Sequence, residues 1–242
     1  MKLYGLIGYP LGHSFSKEYF TQKFEKEQLN CRFENFPIED IAHFPAVLQN
    51  NPSLVGLCVT IPYKEKVIPF LHELSPDVQQ IGACNSIRIS NGRLTGFNTD
   101  TIGFKQSLTR QLQPCHTRAL VLGTGGASRA VEYVLRQMGI ACTLVSRNAK
   151  QSAVRYSMLN ADTIKNHLLI INASPVGTFP DVNKCPDIPY EAIGDRHFLF
   201  DLIYNPEKTL FLKKGAERGA AVQNGYDMLI AQAEASWGLW NE

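Results

Sequence analysis

Residues 118–148, "RALVLGTGGASRAVEYVLRQMGIACTLVSRN", constrain the fold more than any other stretch. An apolar, strand-like run (118–122) ends in a cluster of glycines. A long helical segment follows to residue 139, and a second strand-like run occupies 140–148. Strand, glycine turn, helix and strand in that order make a βαβ unit, whose parallel strands need the helix as a crossover.

Gly123 and Gly125 stand at G-x-G spacing, with Ser128 where a third Gly or Ala is usual. Taken alone, the glycines make only a tight strand–helix turn. In a βαβ context they also let the backbone approach a pyrophosphate, while the helix N-terminus supplies N–H donors and a favourable dipole. The end of the second strand discriminates between dinucleotides. An NAD site places an acid there for the ribose 2′-hydroxyl, whereas this chain has Ser146, Arg147 and Asn148. The planar cation of Arg147 suits a 2′-phosphate, so NADP is favoured over NAD. The competing reading is a solvated arginine after a strand.

The remainder alternates between strand-like and helix-like patterns. Strands are predicted at 2–8, 31–37, 54–61, 167–172, 197–203 and 219–223. Helices are predicted at 16–29, 75–82, 101–112, 208–217 and 225–239. In the first of these helices Tyr19, Phe20, Phe24 and Gln28 fall at helical spacing. Ser75, Pro76 and Gly82 punctuate 75–82 as a short helix. Asn91-Gly92 between two strand-like runs predicts a hairpin. The fold class is α/β, mainly parallel sheet with helices on its faces. Two domains with a cleft between them are expected. One is an N-terminal α/β substrate domain, 1–100 plus 225–242, to which the last helix returns. The other is a Rossmann-like NADP-binding domain, 101–224.

Composition narrows the function. The 242 residues are 44% hydrophobic and carry a net charge of +2, so no bulk field favours nucleic acid or an anionic membrane. No apolar run approaches the ~18 residues of a membrane span. The opening segment is too short and too broken by Gly5 and Gly8 for a signal peptide. Six scattered cysteines without C-x-x-C spacing read as reduced thiols of a cytoplasmic protein, with no metal site. The expected partner is a small molecule. The chain is either a monomer or a homodimer.

Several upstream and C-terminal residues are candidates for holding that molecule. Ser14 and Ser16 sit at the mouth of a helix, where two hydroxyls can bind a carboxylate or Ser16 can simply cap. In "CVTIPYK", Lys64 follows a strand stopped by Pro62, either as a solvated charge or as a group held for chemistry. Asn85 lies among small residues. Asp100 would most often be the N-cap of the 101–112 helix. Tyr204 follows a strand, and Gln232 lies in an apolar part of the last helix.

Together these stretches resemble the shikimate dehydrogenase family. "GYPLGHSFS", "VTIPYK", "IGACNS", "GFNTD", "LGTGGASRA", "SRN", "INASPVG", "DLIYNPEKTLFL" and "GYDMLIAQA" follow the family's blocks in order over nearly the whole chain. The resemblance implies NADP-dependent interconversion of shikimate and 3-dehydroshikimate, a step of chorismate and aromatic amino-acid biosynthesis. It makes Lys64 and Asp100 the catalytic pair. Ser14 and Ser16 would hold the substrate carboxylate, and Thr60, Asn85, Asp100 and Gln232 its hydroxyls, with Tyr204 lining the pocket. Gly123, Thr124, Gly125, Gly126 and Ala127 would cradle the cofactor. Ser146, Arg147 and Asn148 would meet the adenosine phosphate, and Gly225 the nicotinamide side. Two rivals stand beside this expectation: a quinate/shikimate dehydrogenase that also uses NAD, and a non-catalytic, dinucleotide-sensing paralogue.

The chain departs from the family pattern at three places. Cys58 stands where Asn is usual, and a thiol is a poor hydrogen-bonding group, so weaker support is expected for the loop carrying Thr60 and Lys64. The phosphate stretch reads Ser-Arg-Asn in place of Asn-Arg-Thr. The segment from 149 to 169 is short, which leaves little room for a helix and a strand and calls the adenine-side wall into question.

Overall fold

The structure, a computed structural model, describes residues 1–12, 15–148 and 153–242. Strand β1 (Lys2–Gly8) buries six of its seven residues, the pattern of a strand covered on both faces. Helix α1 (Phe15–Lys26) follows, then β2 (Cys31–Pro37), α2 (Phe44–Asn50), β3 (Leu54–Val59), β4 (Glu73–Leu74) and α3 (Pro76–Ile81). The hairpin β5 (Ser86–Ser90) and β6 (Arg93–Phe97) completes the first sheet. Its order is β2-β1-β3-β5-β6-β4. β1 is parallel to β2 and β3, whereas β5 runs antiparallel to both of its neighbours.

Local chemistry explains where these elements stop. Gly82 ends α3 in the left-handed conformation, at φ 70°. Asn91 and Gly92 take φ 50° and 73°, the pair of positive angles that a two-residue hairpin turn needs. Helix α1 is shorter than the 16–29 pattern predicts. Gln28 takes φ 53° and lies outside the helix, while Leu29 N–H reaches back to the Phe24 carbonyl at 2.9 Å and Gln28 N–H to that of Glu25 at 3.2 Å. That is a Schellman ending with a non-glycine residue in the αL position.

The chain divides into two compact units. The first is Met1–Thr99 with Ala233–Glu242, and the second is Asp100–Gln232. In the first unit, one cluster packs Leu57, Val59, Tyr63, Val67 and Phe44. A second gathers Tyr4, Phe20, Phe24, Phe33 and Trp240, and Phe20 stacks on Phe33 with ring centroids 5.0 Å apart. Burial of such rings supplies most of the unit's cohesion, roughly 1.5–3 kcal/mol for each fully buried large apolar side chain.

The second unit begins within helix α4 (Thr99–Thr109) and continues through β7 (Arg118–Leu122), α5 (Gly126–Gln137), β8 (Ala141–Ser146), β9 (Val154–Arg155) and α6 (Ala161–Asn166). Next come β10 (Leu169–Asn172), β11 (Phe198–Asp201), α7 (Leu210–Glu217), β12 (Ala221–Gln223) and the start of α8 (Tyr226–Trp240), which from Ala233 onward belongs to the first unit. Its sheet is parallel throughout, in the order β12-β11-β10-β7-β8-β9. Counted along the chain this is the 3-2-1-4-5-6 arrangement, whose strand order reverses between β7 and β10, and ligands bind beyond the carboxyl ends of strands at such a reversal. All six cysteines are free thiols. Among the described residues, no cluster of His, Cys, Asp or Glu could hold a metal ion, and no helix is long and apolar enough to cross a membrane.

Candidate functional site

In the first unit, β3 ends at Val59, earlier than the predicted residue 61, and the chain turns before Pro62. Thr60 N–H bonds the Ile7 carbonyl at 3.0 Å, and Tyr63 N–H closes the turn onto the Thr60 carbonyl at 2.9 Å. The Tyr63 side chain is 1% exposed, and its hydroxyl donates to the Ile38 carbonyl. The Lys64 carbonyl accepts from Cys84 N–H at 2.7 Å. The loop that carries Thr60 and Lys64 is therefore held by its backbone and by Tyr63. Cys58 is packed against the aromatic cluster around Tyr4 and Phe20.

Asn85 is buried, and Val59 N–H bonds its carbonyl at 2.8 Å. Its side-chain Oδ1 accepts from the Thr99 backbone N–H at 2.7 Å and from the Thr99 hydroxyl at 3.2 Å. Asn85 thus anchors the first residue of α4. This corrects the expectation for Asp100, which lies inside the first turn of a helix that starts at Thr99 and is not its cap. Helix α1 likewise begins at Phe15, so Ser16 sits in its first turn and is not its cap. Ser14 lies outside the described residues.

In the second unit, Asp100 is 6% exposed and lies one turn before Gly103 on the same face of α4. A Cβ on Gly103 would stand 2.5 Å from the Met228 carbonyl oxygen and 3.1 Å from the Gln232 Cβ. Only glycine allows α8 to approach this closely, so Gly103 sets where Gln232 meets α4. Sequence reasoning missed it, although a glycine inside a helix costs about 1 kcal/mol and signals such an approach. Tyr204 is 39% exposed, and partial burial raises its phenol pKa above the usual value. Gly225 N–H bonds the Ile203 carbonyl at 3.0 Å, and a Cβ there would stand 2.1 Å from the Leu202 oxygen.

The strand reversal opens a cavity of about 570 Å³, within the usual range for ligand sites. Gly123, Thr124 and Gly125 line it from the β7 turn, and Ser146 and Arg147 from the end of β8. Gly123 takes φ +125°, and a Cβ there would press on the Ala173 carbonyl oxygen at 2.9 Å. Gly126, Ala127, Asn148 and Gly225 are not among the lining residues. Asn148 N–H bonds Ser146 Oγ at 3.4 Å. The cavity also takes in Tyr156, Ser174, Pro175 and Asp187, which sequence reasoning did not single out. Ser174 and Pro175 fall inside the "INASPVG" block, but no sequence signal marked Tyr156 or Asp187.

A doubly wound parallel sheet with a glycine turn and a cavity at its strand reversal defines a dinucleotide-binding α/β protein. Similarity fixes the family. A model described as the shikimate dehydrogenase substrate binding domain matches residues 6–87. Shikimate dehydrogenase (NADP(+)) of Syntrophomonas wolfei is 40% identical, spanning 96% of this chain and 86% of that one. The enzyme of the same name from Methanococcus maripaludis strain C6 is 35% identical over 99% of this chain and 91% of its own. The crystal structure of shikimate 5-dehydrogenase from Thermus thermophilus in complex with NADP(H) and shikimate aligns with a TM-score of 0.88. It is 30% identical, covering 99% of this chain and 93% of that one. The chain belongs to the shikimate dehydrogenase family.

Proposed function

We propose that the chain catalyses the NADP-dependent, reversible reduction of 3-dehydroshikimate to shikimate, a step of chorismate and aromatic amino-acid biosynthesis. One observation carries the reading: likeness to those relatives extends over 96% or more of the chain, so both the substrate and the cofactor blocks are present. The cavity fits NADP. Apart from Gly125 itself and its chain neighbours, no heavy atom of the described residues lies within 4 Å of where a Cβ on Gly125 would stand, which leaves the start of α5 open to a pyrophosphate. Arg147 offers the planar cation that a 2′-phosphate needs, and the sequence at the end of β8, Ser146-Arg147-Asn148, carries no acid.

The bound cofactor supplies or accepts a hydride. Reduction of the ketone builds negative charge on its oxygen, and the Lys64 ammonium stabilises that charge and delivers the proton. The Asp100 carboxylate is the second member of the catalytic pair and acts on the reacting hydroxyl. Ser14 and Ser16 take the substrate carboxylate, Thr60, Asn85 and Gln232 its other hydroxyls, and Tyr204 borders it. Gly123, Thr124, Gly125, Gly126 and Ala127 surround the pyrophosphate. Ser146, Arg147 and Asn148 read the 2′-phosphate, and Gly225 meets the nicotinamide end. The division of labour is a substrate domain of 1–100 with 225–242 and a cofactor domain of 101–224. The enzyme works in the cytoplasm as a monomer or homodimer, without nucleic acid.

The test is a mixture of protein, shikimate and NADP⁺, with the absorbance of reduced cofactor followed over time. Reduction of NADP⁺ is the expected result. No reduction of NADP⁺ or NAD⁺ would overturn the enzyme reading in favour of a dinucleotide sensor. Equal turnover with NAD⁺ and quinate would select the relaxed quinate/shikimate enzyme instead.

A further inference from the structure

A dinucleotide with a 2′-phosphate carries its adenine on the adjacent ribose carbon. A residue that grips the phosphate therefore needs a neighbour suited to the base. Strand β9 pairs with β8 in parallel register, Val145 with Val154 and Ser146 with Arg155. The two strands end at Ser146 and Arg155, and the residues that follow them are Arg147 and Tyr156. The register thus delivers Tyr156 alongside Arg147, and both line the same cavity. Among the described residues, Tyr156 is the only aromatic that lines the cavity. Its ring packs on the apolar cluster that includes Val145 and Ile164, which holds it in place. Burial pushes its phenol up to about 12, opposed by the Arg147 cation nearby, so the ring remains neutral.

We propose that Tyr156 is the adenine platform of this cavity: the base stacks on the phenol ring while Arg147 takes the 2′-phosphate. The inference rests on the NADP reading above and names the residue that recognises the base. It also accounts for the short segment after β8, since a two-residue strand suffices to present one aromatic ring at the cavity wall. A stacked base contributes affinity whether or not the ribose is phosphorylated, because every base has a π-face. Tyr156 and Arg147 accordingly divide the work, the first serving affinity for any adenine dinucleotide and the second serving discrimination.

The test is calorimetric titration of the whole protein and of Tyr156→Leu, Tyr156→Phe and Arg147→Ala with NADP⁺, NAD⁺ and adenosine 2′,5′-bisphosphate. Tyr156→Leu keeps an apolar side chain on the cluster but removes the ring. It is expected to weaken all three ligands by about 5- to 150-fold, the range that base stacking on an aromatic spans. Tyr156→Phe should bind like the parent. Arg147→Ala should weaken NADP⁺ and the bisphosphate but spare NAD⁺. Parent-like binding by Tyr156→Leu would overturn the platform while leaving the cofactor reading intact. Equal losses in the Leu and Phe variants would overturn it too, by pointing to the hydroxyl. A parent protein that binds none of the three ligands would overturn the cofactor reading itself, and the platform with it.

Discussion

Thr209 donates its hydroxyl proton to Oδ2 of the fully buried Asp201 at 2.6 Å. The other carboxylate oxygen accepts from Asn172 Nδ2 and from Ile203 N–H, each at 3.0 Å. Asn172 in turn takes Ser174 N–H at 3.1 Å and the Ser174 hydroxyl at 2.7 Å, and gives an N–H to the Val176 carbonyl at 3.2 Å. One carboxylate therefore joins the ends of β10 and β11 and the cap of α7 to the loop that walls the cofactor cavity.

Asp201→Ala leaves three buried donors without their acceptor. Each unsatisfied group costs about 1–3 kcal/mol, so the variant is expected to lose roughly 3 kcal/mol or more of unfolding free energy, read from the urea midpoint at constant m-value. The KM for NADP⁺ should rise as the Ser174–Val176 wall loosens. An unchanged midpoint would deny the network this role.

Asp201 also gives stability a pH dependence of unusual sign. Burial outweighs the three donors and raises its pKa from 3.8 to about 7. Between those values the folded chain binds the extra proton. This contribution is whole below the unfolded value and is lost as pH rises through about 7. The difference in unfolding free energy between parent and Asp201→Asn should therefore shift in favour of Asn from pH 4 to 7, and denaturant titrations across that range check it.

His116 works in the opposite direction. Its Nδ1 accepts from Gln113 N–H at 2.9 Å, and its Nε2 donates to the Arg196 carbonyl at 3.2 Å, an arrangement suited to the neutral ring. Burial lowers its pKa from 6.5, opposed by the Arg196 carbonyl and aided by His197. Its contribution is present above the unfolded value of 6.5 and lost as pH falls through the lowered folded value. In His116→Gln that acid-side loss should disappear, leaving a flatter stability curve below pH 6.5 in the same titrations.

How legible these features were in the sequence depended on whether the cause was local. Ser75-Pro76 with Gly82, and Asn91-Gly92, carry their own turn chemistry, and the structure follows both. Gly123 was readable because a strand and a helix flank it. Gln28 was not, since a glutamine at positive φ has no sequence mark and only the αL ending of α1 explains it. The sequence marks Asn85 as a candidate ligand contact but does not show that its Oδ1 accepts from Thr99, a partner fourteen residues away that only the folded sheet supplies. Tyr156 was hidden for the same reason, because a two-residue strand has too little pattern to predict a register.

Gly103 shows how a packing residue controls a chemical one. Its missing side chain lets the Met228 carbonyl and Gln232 lie against α4 within one turn of Asp100. Gly103→Ala would raise the intrinsic helix propensity of α4 by about 1 kcal/mol. It would also force the helices apart, since the Cβ would stand 2.5 Å from a backbone oxygen. We expect a net destabilisation of roughly 1–3 kcal/mol and a raised KM for shikimate through displacement of Gln232. A variant more stable than the parent with unchanged KM would mean the helices yield at no cost.

Lys64 is where the substrate block and the proposed chemistry meet. Its backbone is fixed by Cys84 N–H, and the turn before it is fixed by Thr60 and Tyr63, so replacing the side chain should leave the loop in place. A group that acts on charge developed only in the transition state affects kcat, whereas one that binds the ground state affects KM. Lys64→Ala is therefore expected to lower kcat by about 10²- to 10⁴-fold, the usual contribution of a positioned proton donor, with a far smaller change in KM for shikimate. Steady-state kinetics in the shikimate-oxidising direction measure both. A rise in KM alone would reduce Lys64 to a binding residue. The complementary check is Tyr63→Phe, which removes the hydroxyl bond to the Ile38 carbonyl but leaves the ammonium. If Lys64 depends on that support, kcat should fall moderately and the melting temperature with it, and parent-like values for both would show that the backbone bonds alone hold the loop.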